Sequence, residues 1–146
     1  MKRRAGLLTG AAVAIPSRTR MWAPLQDAVH VEFYEEFHRG RWKPDEDWQP
    51  MVRAVRYLQA QPYAPRLFAF TSLARFYVTT APTYEQSKGH RTVGVAWSFH
   101  DRVFHLSIGE WSGCRSHDRS CDEQEFPRSV DSLINVLLMC PDDLPR

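Results

Sequence analysis

The sequence predicts an α+β domain with two layers: a three-stranded antiparallel meander covered by about three helices, in the order ααβββα. Three observations carry this. Apolar residues recur at helical spacing in three separate segments. Leu67–Thr80 is rich in aromatic and β-branched residues, which suits a strand. Thr92–Trp111, TVGVAWSFHDRVFHLSIGEW, reads as one β-hairpin with two distinct faces. A length of 146 residues suits one domain with an adequate core, without a disulfide or metal staple.

Residues 1–20 precede the predicted fold, which takes in 21–146 as a single domain. The N-terminus holds Lys2, Arg3, Arg4, Arg18 and Arg20 and no acid. Its apolar stretch from Ala5 to Ile15, ending near Ala12-Val13-Ala14, resembles a weak signal peptide and is too short to span a bilayer. It reads equally as a disordered tail, or as sequence upstream of a start at Met21. A cytoplasmic location is favoured over export. The rest of the chain is net acidic although the whole carries +2, which argues against a nucleic-acid partner. No membrane association is expected.

Helix 1 is predicted over 24–38. Pro24 suits a first turn, Leu25, Ala28, Val29, Phe33 and Phe37 form the stripe, and Gly40 stops it. Helix 2 is predicted over about 48–60, with Asp47 as N-cap, Pro50 tolerated in the first turn, and Met51, Val52, Val55 and Leu58 facing inward. Leu67–Thr80 follows as one strand, with Phe76 and Val78 on one face and Arg75, Tyr77 and Thr79 on the other. Ala81–Arg91 is a loop broken by Pro82 and Gly89.

In the hairpin, the expected register faces Phe99 with Phe104, Trp97 with Leu106 and Val95 with Ile108. The other face then pairs Ser98 with His105, Ala96 with Ser107 and Gly94 with Gly109, around a turn at His100–Val103. One face is large and apolar; the other is small, with one histidine. A slip of one residue would exchange them. Ser112–Glu125 is polar and reads as irregular. Helix 3 is predicted over about Ser129–Cys140, on Val130, Leu133, Ile134 and Leu137.

Four constellations bear on function. Cys114, His117, Cys121 and Cys140 are potential zinc donors, but the loop cysteines lie too far apart for the usual close pair. No metal and no cofactor are expected, and a Cys114–Cys121 disulfide stays open. The small hairpin face, with Arg75 and Tyr77 from the preceding strand, makes a shallow floor around His105 for an anionic or polar ligand. Lys88 and His90, beside Gly89, form a loose basic cluster that could hold a phosphate but lacks P-loop spacing. His100-Asp101 at the hairpin tip fits no catalytic pair, since neighbours on a strand point apart. GxSxG, HExxH and EF-hand patterns are absent.

The leading expectation is a non-enzymatic interaction or accessory domain, inhibition being one form of such action, whose partner is another protein. Trp42, Trp48 and Trp111, at element ends or in polar connections, are its candidate contacts. The alternative is a small-ligand-binding or hydrolytic domain using Arg75, Tyr77, Lys88, His90 and His105. A zinc-stabilised module is the second alternative. Whether the small face is covered discriminates between the first two.

Overall fold

Apolar residues of three helices and one face of a six-stranded sheet meet in one core. The computed structural model describes residues 22–40, 46–87, 89–109 and 115–140. In chain order the elements are β1 (Ala23–Pro24), α1 (Val29–Arg39), α2 (Gln49–Gln59), β2 (Phe68–Ser72), β3 (Arg75–Thr79), β4 (Thr92–Ser98), β5 (Val103–Gly109), β6 (Arg115–Cys121) and α3 (Phe126–Met139). Short 3₁₀ turns at Ala64–Arg66 and Glu85–Ser87 lie between them. The strands form one antiparallel sheet in the order β1-β2-β3-β4-β5-β6. The α+β class therefore holds, but among the described residues the antiparallel sheet has six strands where a three-stranded meander was expected, and the order is βααβββββα in place of ααβββα. Among the described residues, no helix is long and apolar enough to cross a membrane.

Each added strand has a local cause. Pro24 does not open α1. Leu25 donates its N–H to the Leu67 carbonyl (2.9 Å), so the chain extends the edge of the sheet as β1. Proline is tolerated at a sheet edge because no ladder donor is needed there. The helix starts five residues later, where the Asp27 carboxylate accepts the Val29 N–H at 2.9 Å.

The stretch read as one strand is two. It turns at Leu73 and Ala74, whose φ angles are 52° and 68°, the sign combination of a type I′ turn. Neither glycine nor asparagine marks it, so the sequence gives no turn signal. The Tyr34 hydroxyl donates to the Ala74 carbonyl (2.9 Å) and ties this turn to α1. A Cβ in the left-handed region costs about 1 kcal/mol or more. Ala74→Gly is accordingly expected to stabilise the protein by about 0.5–1 kcal/mol in chemical denaturation. A loss of stability would show that the turn is unstrained.

The predicted irregular segment holds β6. Its residues have little strand preference, but Cys121 pairs with Phe104 and is buried on the core side, which seats the strand on the edge of β5.

The β4–β5 hairpin keeps its predicted faces in a different register. Val93 pairs with Ile108, Val95 with Leu106 and Trp97 with Phe104, two residues away from the expected alignment. A shift of two conserves the pleat, so the face pattern could not tell the registers apart. The turn decides. Ser98 closes a four-residue loop, accepting the Arg102 N–H on its carbonyl (2.8 Å) and the Asp101 N–H on its hydroxyl (3.3 Å). Arg102 takes a φ of 55° and reaches back over the Trp97 ring at 5.5 Å. Phe99 leaves the strand and packs edge-on against Trp48 (4.8 Å).

All three helices cover the apolar face. Met51, Val52, Val55 and Leu58 from α2 join Val130, Leu133, Ile134 and Leu137 from α3 against Val93, Val95, Phe104, Leu106 and Ile108. Helix α3 begins at Phe126, earlier than Ser129, because the Asp122 carboxylate accepts the Glu125 N–H (2.8 Å) just before it. Helix α2 lies close to its expected span, but its N-cap is Trp48 and not Asp47; Asp47, one residue earlier, accepts the Gln49 N–H at 3.0 Å.

His30 is fully buried on α1. Its Nε2 reaches the Ala23 carbonyl (3.3 Å), its ring meets Phe76 edge-on, and its Nδ1 has no hydrogen-bond partner among the described residues. Burial lowers its pKa below the usual 6.5. The folded protein therefore resists a proton that the unfolded chain accepts. Stability should be full above pH 6.5 and fall as the pH drops below it, towards the lowered folded value. Urea midpoints at pH 7.5 and 5.5 check this: a His30→Leu variant should show a smaller pH-dependent loss. An equal loss would place the titration elsewhere.

Candidate functional site

The face of the sheet away from the helices carries a cavity of about 400 Å³. Its floor is Gly94 and Ala96 on β4. Arg75 and Tyr77 of β3 stand on one side, and His105 and Ser107 of β5 with Asp118 and Ser120 of β6 on the other. Period-2 alternation explains why these side chains share a face. Each sits between core residues on its own strand: Phe76 between Arg75 and Tyr77, Val95 between Gly94 and Ala96, Leu106 between His105 and Ser107.

The cross-strand register arranges the lining in rows. Phe70, Tyr77, Gly94, Ser107 and Asp118 face one another in turn across five strands. In the adjoining row Ala96 faces His105, and His105 faces Ser120. The Ser120 hydroxyl and His105 Nδ1 lie 3.0 Å apart. Arg75, His105, Asp118 and Ser120 are exposed, so the site is a trough open to solvent. Tyr77 is backed by rings outside the lining: Phe70 stacks on Tyr77 and Trp22 on Phe70. Trp22 is itself anchored by its Nε1–H on the Ala81 carbonyl (3.1 Å).

This arrangement can hold a negatively charged or polar group. A guanidinium binds carboxylate or phosphate through paired N–H donors. The Tyr77 phenol, the Ser107 and Ser120 hydroxyls and the His105 imidazole add short-range donors and acceptors. Proton transfer from Ser120 to His105 is geometrically open. Among the described residues, however, no carboxylate hydrogen-bonds the imidazole to orient it as a base.

The structure brings together three of the five ligand candidates, Arg75, Tyr77 and His105. His90 is not in the lining; its Nδ1 lies 3.1 Å from the Thr80 hydroxyl and holds the loop before β4. Lys88, Trp42, Trp111 and Cys114 lie outside the described residues, as do the His117 side chain and residues 1–20. Trp48, a candidate contact, packs on Phe37 (4.9 Å) and Phe99 (4.8 Å) and lies against the core. Cys121 and Cys140 are free thiols, one buried and one exposed. Burial raises the Cys121 pKa, which disfavours the thiolate that a metal requires. Among the described residues no three potential ligands cluster around a metal position.

Sequence reasoning missed Asp118, Ser120 and the ring column. The first two lie on β6, whose polar composition hides its alternation. The column depends on Trp22, which precedes the first recognised element. Comparison with protein-family models, curated proteins and solved structures finds no match to this chain.

Proposed function

We propose that this chain is a small-ligand-binding domain, holding a small anionic or polar molecule on the open face of its sheet. The observation that carries the reading is the trough itself. A sheet face opposite the helices has a floor of small residues, with Arg75 and Tyr77 along one side and His105, Ser107, Asp118 and Ser120 along the other. Concave sites with a few convergent polar groups are where small molecules bind. The alternative of a protein-interaction domain has less support, because Trp48 is engaged with the core.

Amide chemical-shift mapping with a panel of small carboxylates and inorganic phosphate tests the proposal. Shifts should concentrate on β3 to β6, and Arg75→Gln should weaken binding of the best acid about tenfold, in line with loss of a charge-assisted pair. If no acid moves a trough resonance, or if Arg75→Gln changes nothing, the reading fails.

A further inference from the structure

We propose that the ligand is a zwitterion of the amino-acid type, a small molecule whose carboxylate sits on Arg75 and whose ammonium sits on Asp118. This rests on the ligand-binding reading above and names the ligand class.

The open part of the trough lies over Ala96. At Gly94 the face is closed: an added Cβ would meet the Ser107 hydroxyl at 2.8 Å and Tyr77 Cε1 at 3.2 Å, so those two side chains already fill the space above it. Ala96, two residues further along the same face, is partly exposed and lines the cavity. Extending the Phe76–Val95 pair by one residue sets Arg75 level with Ala96 on one side. On the other side Ala96 faces His105, with Ser120 beyond it. The Ala96 methyl group forms a low floor between taller polar side chains.

The charges on this face have opposite signs and stand at opposite corners. Arg75 is on β3, in the Ala96 row. Asp118 is on β6, in the neighbouring row, where it faces Ser107. Three strand spacings, about 14 Å, separate β3 from β6, and the offset between rows adds about 7 Å along the strands. That distance keeps the two side chains from pairing with each other, and Arg75 makes no ion pair among the described residues. Arg119, next to Asp118, alternates to the helix side of the sheet with its partner Leu106.

Asp118 counts against a bare anion as the best ligand. An anion held by Arg75 gains from the guanidinium but shares the trough with a carboxylate of its own sign. Like charges brought together at a binding site suppress the wrong partner, and complementary ones fix the register of the right one. A molecule with an acid at one end and an ammonium at the other suits both corners and lies across the Ala96 floor. Asp118 has a further interaction within the chain. A carboxylate offers about four lone-pair positions, so an ammonium can join it there. His105, Ser107 and Ser120 lie between the corners and supply hydrogen bonds along the way.

Matched pairs of probes test this. Each amino acid of the series glycine, β-alanine, 4-aminobutanoate and 5-aminopentanoate is compared with the acid of the same chain length that lacks the amine, from acetate to pentanoate. All are titrated into the full chain and followed by amide shifts. At least one amino acid should bind about tenfold more tightly than its matched acid, in line with one added charge-assisted contact. Asp118→Asn should bring that pair to similar affinity, and Asp118→Lys should reverse the preference. Asp118 is exposed on an edge strand, so both variants should melt close to the wild-type temperature. Arg75→Gln should weaken both members of the pair, as should Ala96→Leu, which fills the floor. If no amino acid exceeds its matched acid, the zwitterion falls and the anion trough stands. A preference that survives both Asp118 variants overturns the ammonium position. Affinity unchanged by Ala96→Leu overturns the placement over that floor. If neither series moves a trough resonance, both readings fall.

Discussion

Phe104→Ala is expected to destabilise the protein by about 3–5 kcal/mol, the range for removing a buried aromatic side chain. Phe104 is fully buried near the start of β5. Its ring lies 4.9 Å from Trp97 on β4 and 4.6 Å from Phe126 at the start of α3. Removing it deprives both neighbours of packing and leaves a cavity where the sheet meets its covering helix. Near 150 residues, each kcal/mol shifts the melting temperature by about 2–4 °C, so a drop of roughly 6–20 °C should appear. A shift below about 3 °C would show that α3 does not pack on this ring. The wide sheet face bearing the trough should be affected less than the α3 contact, which hydrogen exchange can resolve.

Asp131→Ala should produce the second largest loss, about 2 kcal/mol. The Asp131 carboxylate accepts two phenol hydrogen bonds, from Tyr57 and Tyr63, each at 2.6 Å. Tyr57 belongs to α2 and Tyr63 precedes the 3₁₀ turn that leads to β2, so one carboxylate clamps α3 to both. Hydrogen bonds to a charged group contribute about 1.5–3 kcal/mol each when buried, and partial exposure here reduces that. Desolvation, followed by the bond to Asp131, pushes the Tyr57 pKa up to about 12 and raises Tyr63 further. The sign follows directly: the folded state keeps phenol protons that the unfolded chain releases above its ordinary value near 10. The contribution is complete below pH 10 and declines as the pH rises past it. Ultraviolet titration should show both phenols ionising closer to 10 in Asp131→Ala. If Tyr57→Phe and Tyr63→Phe each leave stability unchanged, the clamp contributes nothing.

Strong periodicity survived folding. Helices α2 and α3 lie close to their predicted spans because each buries a continuous apolar stripe. The two faces of the β4–β5 hairpin came through intact for the same reason. Reading failed where the deciding contact is remote in sequence. β6 is a strand because the edge of β5 offers it backbone partners and Cys121 a place in the core, and nothing in SHDRSC signals this. Pro24 reads as a helix start until the Leu67 carbonyl captures the next N–H. The Leu73–Ala74 turn has no turn residue, and Tyr34, 40 positions away, holds it.

For the site, the sequence by itself determined which small and polar residues share a strand face, since alternation is local and obligatory. Gly94, Ala96, His105 and Ser107 could be grouped on that basis, with Arg75 and Tyr77 as neighbours on an adjoining strand. Only the tertiary structure decided that all three helices gather on the opposite face, leaving this one open. It also decided the exact rows, because a two-residue register shift keeps every side chain on its face and changes only whom it meets. Gly94 consequently faces Ser107 instead of Gly109.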